Sequence, residues 1–147
     1  MLIFFADNLL QAFDLAQNTQ LRSICLNSCG WIYPSIMNFA NSLPSILSTT
    51  ASHVVEEIVI CLEHPVLEAL EPREWDVMAI LFATPQFSSL RNVHFRVFGL
   101  KGMDERALEM LLKERLGQCA SRGILSVETG SSRINPLVPG KLMQTAI

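Results

Sequence analysis

The fold can be read from residues 21–29, LRSICLNSC. They follow the pattern L-x-x-L-x-L-x-x-N/C without a mismatch, and this pattern is typical of the strand in a repeating strand–helix unit. Its first six positions recur as VEEIVI (55–60) and LRNVHF (90–95), and more weakly as RGILSV (122–127). The first residues of the four copies are 34, 35 and 32 positions apart (55 − 21, 90 − 55, 122 − 90). This spacing leaves room for a full helix after each strand.

Alternation within each copy assigns the side chains to two faces of a sheet. Successive side chains of a strand point to opposite faces, so Ile24 and Leu26 should face a core while the residues between them face away. Parallel strands are predicted, as neighbours in sequence order, over residues 21–27, 55–61, 90–96 and 124–127. The side chains predicted to point into the core are Ile24, Leu26, Ile58, Ile60, Val93, Phe95, Leu125 and Val127.

The segments between the strands have helical periodicity. Apolar residues recur at helical spacing from Ile36 to Leu47, although Pro44 should divide this segment into two short helices. A second helix is predicted from Pro72, and a third after Asp104, whose side chain can cap its first turn. The apolar stripes are Trp75, Met78, Ala79 and Phe82 in the second helix, and Leu108, Leu111, Leu112 and Leu116 in the third. Strands that alternate with helices predict a parallel α/β sheet.

The two ends of the chain lack the repeat pattern. Residues 7–17 carry an amphipathic stripe that is typical of the helix of an earlier, truncated repeat. No strand is expected before Leu21, so the first unit should be uncapped and the chain marginally stable or prone to associate. Turn-forming residues without periodicity dominate the C-terminal end. The prediction is a repeat domain of about four units over residues 1–128 and a loose tail over residues 129–147.

Three segments resemble the leucine-rich-repeat region of the F-box-like protein families of mushroom-forming (basidiomycete) fungi: LRSICLNSCG (21–30), NSLPSILSTTASHVVEEIVI (41–60) and TPQFSSLRNVHF (84–95). RGILSV (122–127) is also similar to a strand of those proteins, so the likeness extends over residues 21–127. The units are longer than the 20–29 residues typical of leucine-rich repeats. The predicted fold class is therefore α/β, an irregular leucine-rich-repeat-like solenoid in which parallel strands alternate with helices.

The resemblance implies that the chain recognises substrates for a ubiquitin ligase. Members of these families carry an N-terminal F-box, a small helical module that docks on the adaptor of a cullin-type ubiquitin ligase. LPSIL (43–47) echoes the opening of an F-box, but it lies between two repeat strands and no three-helix module follows it. The chain thus resembles the C-terminal repeat section alone. An adaptor is an expected partner only if the full-length product contains an F-box.

The histidines and sequence motifs do not indicate an enzyme. His53, in a Ser/Thr/Ala-rich turn, and His64, before a proline, should both be solvated. His94 should lie two strands away from Cys25, which is too far for a nucleophile–base pair. No G-x-S-x-G, phosphate-binding loop or H-E-x-x-H is present. We therefore expect no catalytic residue and no cofactor. The alternative, a small α/β enzyme domain of unknown reaction, would require a closed pocket with convergent titratable groups.

The cysteines, the net charge and the hydropathy restrict the classes of protein to which the chain can belong. The four cysteines, Cys25, Cys29, Cys61 and Cys119, lack metal-ligand spacing, so we expect buried, reduced thiols in an intracellular protein, cytoplasmic or nuclear. The net charge of −3 gives no reason to expect nucleic acid. The uncharged stretch between Ser23 and Val55 is long enough to span a membrane, but its asparagines, serines and prolines argue against insertion.

These observations favour a protein-recognition scaffold that mediates a protein–protein interaction. The residues between the core positions should form three rows across the sheet, on a continuous concave surface. The rows are Ser23, Glu57, Asn92 and Ile124; then Cys25, Val59, His94 and Ser126; then Asn27, Cys61, Arg96 and Glu128. Arg96 and Glu128 should be close enough to pair. The residues predicted to bind the partner are Asn27, Glu57, Val59, Asn92, His94 and Arg96.

Overall fold

A computed structural model of the chain contains a five-stranded sheet in which all the neighbouring strands are parallel. The structure describes residues 2–5, 15–27, 35–63, 72–99 and 104–130. The strands are β1 (Leu2–Phe5), β2 (Ser23–Asn27), β3 (Glu57–Glu63), β4 (Asn92–Phe98) and β5 (Leu125–Gly130). The helices are α1 (Ser35–Ser48), α2 (Pro72–Phe82), α3 (Glu105–Arg115) and α4 (Gly117–Ser121), and short 3-10 turns lie at Leu15–Gln17 and Pro85–Phe87.

The strands are adjacent in sequence order, and their register is the predicted one. Ile24 pairs with Ile58, Ile58 with Val93, and Val93 with Leu125. The offsets between these partners are 34, 35 and 32 residues (58 − 24, 93 − 58, 125 − 93), which equal the spacing of the sequence copies. The α/β class and the alternation of parallel strands with helices are therefore confirmed. The arrangement as a leucine-rich-repeat-like solenoid remains a prediction.

The core lies between the sheet and the helices, and six of the eight predicted core side chains are buried in it. These six are at most 1% exposed: Ile24, Leu26, Ile58, Ile60, Val93 and Phe95. The other two, Leu125 and Val127, only pack against the core and are half-buried. Their strand, β5, is at the end of the sheet and has a neighbouring strand on one side alone.

Helix α1 runs through Pro44 without a break, so the prediction of two short helices is wrong. A proline inside a helix removes one backbone hydrogen bond and costs about 3 kcal/mol. However, Leu43, Ile46 and Leu47 surround it in the sequence and are at most 6% exposed. Burial of such side chains is worth about 1.5–3 kcal/mol each, which is enough to hold the helix on the sheet.

Helices α2 and α3 begin where they were predicted. In α2 the buried Trp75 ring lies 6.1 Å from the Phe95 ring of β4, measured between centroids. Asp104 caps α3, because its carboxylate accepts a hydrogen bond from the Ala107 amide at 2.7 Å. The buried stripe residues are Met78, Phe82, Leu108, Leu112 and Leu116. None of the helices in the described part has the length and hydropathy that a membrane span requires.

Strand β1 was not predicted, and the expectation that no strand precedes Leu21 is wrong. Leu2 pairs with Ile24, so β1 lies parallel to β2. The offset of 22 residues (24 − 2) is shorter than the others, which is why the repeat spacing did not reveal it. Of the predicted helical stripe at residues 7–17, the described part is the 3-10 turn at its end, where Leu15 is buried. Residues 6–14 and 131–147 lie outside the described residues.

Successive units are joined by a recurring set of backbone hydrogen bonds. The Arg22 carbonyl accepts from the amides of Glu56 and Glu57, at 2.8 and 3.1 Å. One unit further on, the Glu56 carbonyl accepts from the amides of Arg91 and Asn92 at the same two distances. The weak fourth copy uses a side chain, because the Arg122 guanidinium donates to the Leu90 carbonyl at 2.8 Å. This bond explains how an arginine fits where the other copies begin with an apolar residue.

Candidate functional site

The candidate site is the face of the sheet opposite the helices, which we name the open face. The register brings its residues together in the predicted rows: Ser23, Glu57 and Asn92; Cys25, Val59, His94 and Ser126; and Asn27, Cys61, Arg96 and Glu128. Ile124 was predicted to complete the first row. It packs against the core instead. Ile124 precedes the first residue of β5, so the alternation of side chains along the strand does not determine the direction of its side chain.

A chain of side-chain hydrogen bonds begins in the first row and joins four strands. The Glu57 carboxylate accepts from the Ser23 hydroxyl at 2.9 Å and from Asn92 Nδ2 at 3.3 Å. On the other side of Asn92, Oδ1 accepts from the Ser126 hydroxyl at 3.2 Å. The chain therefore links β2, β3, β4 and β5 through side chains alone.

The same chain continues through His94 to the third row. His94 Nδ1 lies 2.6 Å from Ser126 Oγ, and Nε2 lies 3.2 Å from Glu128 Oε2. That carboxylate oxygen is also 3.2 Å from Arg96 Nε, which confirms the predicted pair. About half of each of the Arg96 and Glu128 side chains is exposed. The hydrogen-bond chain thus ends in charged, exposed side chains, whereas the side chains in its middle are polar and half-buried.

Ser126, His94 and Glu128 have the composition of a hydrolytic triad, but the Ser126 hydroxyl has a second acceptor. It lies 2.6 Å from His94 Nδ1 and donates to Asn92 Oδ1 at 3.2 Å. A general base has to accept the proton of its nucleophile. In the bond to Asn92, the hydroxyl hydrogen of Ser126 points to the amide oxygen and away from His94. Ser126 thus joins the Asn92 amide to the His94 ring.

Two thiols of the open face form a contact that the sequence analysis missed. The Cys25 thiol is hydrogen-bonded to the Cys61 thiol. This bond lowers the pKa of Cys25 from 9.0 to about 7; the Arg96 charge acts in the same direction, while burial and the Glu57 carboxylate oppose it. Cys25 is half-buried, so the expectation that the thiols are buried fails for it. The row positions of Cys25 and Cys61 could have revealed the contact, because they are diagonal neighbours.

The other cysteines behave differently from Cys25. Cys119 is buried in the core, and burial raises the pKa of its thiol. Cys61 is only 7% exposed although it belongs to the open face, so this face is not open to solvent at that position. Among the described residues, Cys25, Cys61 and Cys119 form no disulfide bond. Cys29 lies outside the described residues.

All six residues predicted to bind a partner lie on the open face. Arg96 is exposed, and the other five are half-buried: Asn27, Glu57, Val59, Asn92 and His94. His53 is exposed, as expected, and His64 lies outside the described residues. Within the described ranges, no three or more His, Cys, Asp or Glu side chains form a group that could hold a metal ion.

Comparison with known proteins gives no family for the chain. No family model matches it, and searches of curated proteins and of solved structures found no similar protein. The resemblance to the fungal F-box-like families therefore stays a prediction that rests on the quoted motifs. The residues of the open face are the basis on which a function can be assigned.

Proposed function

We propose that the chain is a non-catalytic protein-recognition scaffold that binds another protein across the open face of its sheet. The observation that carries the proposal is the set of in-register rows of polar side chains on that face. The opposite side of the same strands supplies the core, so the residues of the open face contribute less to folding. They are accordingly available for contacts with a partner.

The chemistry of the rows suits a folded protein surface. Arg96 already holds Glu128 through Nε, and a half-exposed guanidinium has further donors that can bind a carboxylate or a carbonyl of a partner. Val59 adds an apolar contact in the middle row, between Cys25 and His94. Polar side chains that are held by their neighbours lose little conformational freedom on binding, which favours affinity.

The finer proposal is that this scaffold is an irregular leucine-rich-repeat-like solenoid and the substrate-binding part of an F-box-type ubiquitin-ligase receptor inside the cell. The repeat motifs and their resemblance to the fungal families support it. In this role the chain needs no cofactor, and its partner is a protein, not nucleic acid or a membrane. A ligase adaptor would bind only through an F-box elsewhere in the full-length product.

Site-specific photocrosslinking in the source cells tests which face is used. A photoreactive amino acid replaces Arg96 on the open face or, in a matched control, Ile80 on α2, which is 68% exposed. We expect a crosslinked protein partner from position 96 that does not form from position 80. Equal products from the two positions, or a product from position 80 alone, would contradict binding by the open face. Cullin-ligase subunits among the captured proteins would support the finer proposal.

Substitution then measures the contribution of the face to binding. With the captured partner purified, replacement of both His94 and Arg96 by Ala is expected to weaken binding at least tenfold, because truncation of central side chains dominates the loss of affinity. The melting temperature should change little, and Ile80→Ser is the control that should leave affinity unchanged. A large loss of stability without a change in affinity would show that the face is structural.

A further inference from the structure

The thiol pair on the open face has a geometry that favours one reactive cysteine. Cys25 pairs with Val59, and Asn27 pairs with Cys61, so the two cysteines are diagonal neighbours on β2 and β3. Their thiols are hydrogen-bonded. Arg96 follows Cys61 in the same row, on β4, two strands from Cys25, and its positive charge acts on Cys25 less strongly than the Cys61 thiol does. A thiol donor at the sulfur and a positive charge on the same face of the sheet both favour a thiolate.

Access to solvent distinguishes Cys25 from the other described cysteines. Cys25 is half-buried, whereas Cys61 and Cys119 are 7% and 1% exposed. A small reagent can therefore reach Cys25 directly. Cys61 is placed to act as a hydrogen-bond donor, and Cys119 lies within the helix layer in α4.

We propose that Cys25 is a modification site that exchanges with low-molecular-weight disulfides and carries the resulting mixed disulfide on the open face. The Cys25 thiolate attacks one sulfur of the small disulfide, and a new sulfur–sulfur bond forms as the original one breaks. The second half of the reagent leaves as a thiolate and takes up a proton from water. No net oxidant is needed beyond the disulfide itself. This reactivity is separate from partner binding and does not depend on it.

The charged and titratable neighbours of Cys25 predict how the reaction depends on pH. The Cys61 hydrogen bond and then Arg96 favour the thiolate, while burial and Glu57 disfavour it, and the pKa is about 7. The strand on the other side of Cys25, β1, consists of Leu, Ile and two Phe residues and has no ionisable side chain. About half of Cys25 is therefore a thiolate at pH 7, against about 1% of a thiol whose pKa is 9.

The gain in thiolate is partly offset by its lower nucleophilicity. With a Brønsted coefficient of about 0.45, a pKa lower by two units reduces the reactivity of each thiolate about eightfold. Because the thiolate fraction rises about fiftyfold, the reaction at pH 7 should be about sixfold faster than for a thiol whose pKa is 9.

Cys61 is not expected to resolve the adduct into an internal disulfide. The Cα atoms of Cys25 and Cys61 are offset by two residues along the strands, at about 3.3 Å per residue, and by one strand spacing of about 4.8 Å. They are therefore about 8 Å apart. A disulfide normally needs Cα atoms within about 7 Å of each other. The mixed disulfide on Cys25 should therefore persist until an external thiol reduces it.

The test uses the full chain with Cys29→Ser, which removes the cysteine that lies outside the described residues. The folded protein reacts with hydroxyethyl disulfide, a neutral reagent, between pH 5.5 and 9.5, and mass spectrometry locates the adduct. We expect the adduct on Cys25, with a rate that rises around a midpoint of about pH 7. Cys119 should react only after denaturation. A midpoint near 9, or equal labelling of folded Cys119, would overturn the proposal.

Four variants separate this mechanism from simple exposure. Cys61→Ala and Arg96→Gln should each move the midpoint to higher pH, whereas Glu57→Gln should move it lower. Cys61→Ser keeps a donor and should retain the low midpoint. Circular dichroism checks that each variant is folded, and if Cys61→Ala does not fold, the exposed Arg96→Gln variant decides. A midpoint that is the same in all folded variants would overturn the proposal.

Discussion

Ile58 and Val59 are neighbours on β3, but they point to opposite faces of the sheet. Ile58 lies between Ile24 and Val93 and is fully buried. Val59 lies between Cys25 and His94 in the middle row of the open face and is half-buried. The core face is thus uniformly apolar, whereas the open face mixes thiols, amides, hydroxyls and charges. Burial determines the residues on one face, and hydrogen bonding organises the other.

The two faces of the sheet differ in the type of interaction they make and in how much free energy each interaction contributes to folding. Complete burial of an aliphatic side chain stabilises the fold by about 1.5–3 kcal/mol. A hydrogen bond such as that between Ser126 and Asn92 contributes a net of about 0.5–1.5 kcal/mol. An exposed ion pair such as that between Arg96 and Glu128 contributes about 0–1 kcal/mol. Changes on the open face are therefore less costly to folding, which is a property expected of a binding surface.

The largest difference in stability between the two faces is expected between substitutions of Ile58 and Val59. Ile58→Ala is expected to lower the free energy of unfolding by about 2–5 kcal/mol, because it leaves a cavity between β2 and β4. Val59→Ala removes a half-buried side chain and should cost about 1 kcal/mol or less. Urea denaturation followed by circular dichroism measures both values. Equal costs would show that the open face is packed as tightly as the core.

A smaller difference is expected within the core face, between the middle of the sheet and its end. Leu26 on β2 is 1% exposed, whereas Leu125 on β5 is half-buried. Leu26→Ala should cost about 2–5 kcal/mol, and Leu125→Ala about half as much, because less apolar area is lost from the core. The same denaturation experiment compares them. A cost at Leu125 as large as that at Leu26 would mean that β5 is covered like an inner strand.

The smallest effect is expected from the ion pairs. Arg96→Ala should change the free energy of unfolding by about 0–1 kcal/mol, because both partners are about half exposed. The control is Arg22→Ala, which removes the exposed pair with Glu56 at 3.5 Å next to β2. Both melting temperatures should stay close to that of the unchanged protein. A loss of several degrees for Arg96→Ala alone would indicate that the open face depends on this arginine for folding.

Most of the sheet could be predicted from the sequence, whereas the contacts of the candidate site could be predicted only in part. The pair between Arg96 and Glu128 follows from the register, since directly opposed residues are the closest ones across two strands. The link from Ser126 to Asn92 joins different rows. Such diagonal contacts depend on side-chain rotamers, which a periodic pattern does not specify.

The sequence alone determined the order, direction and register of β2 to β5, because a period of two residues and a spacing of 32 to 35 residues between units leave few alternatives. The tertiary structure decided the features for which the repeat has no signal. β1 joins the sheet at a shorter offset, α1 continues through Pro44, and the Cys61 thiol is buried beside Cys25. Each depends on contacts between segments that are distant in the chain, and their free energies outweigh the local preferences that a sequence pattern records.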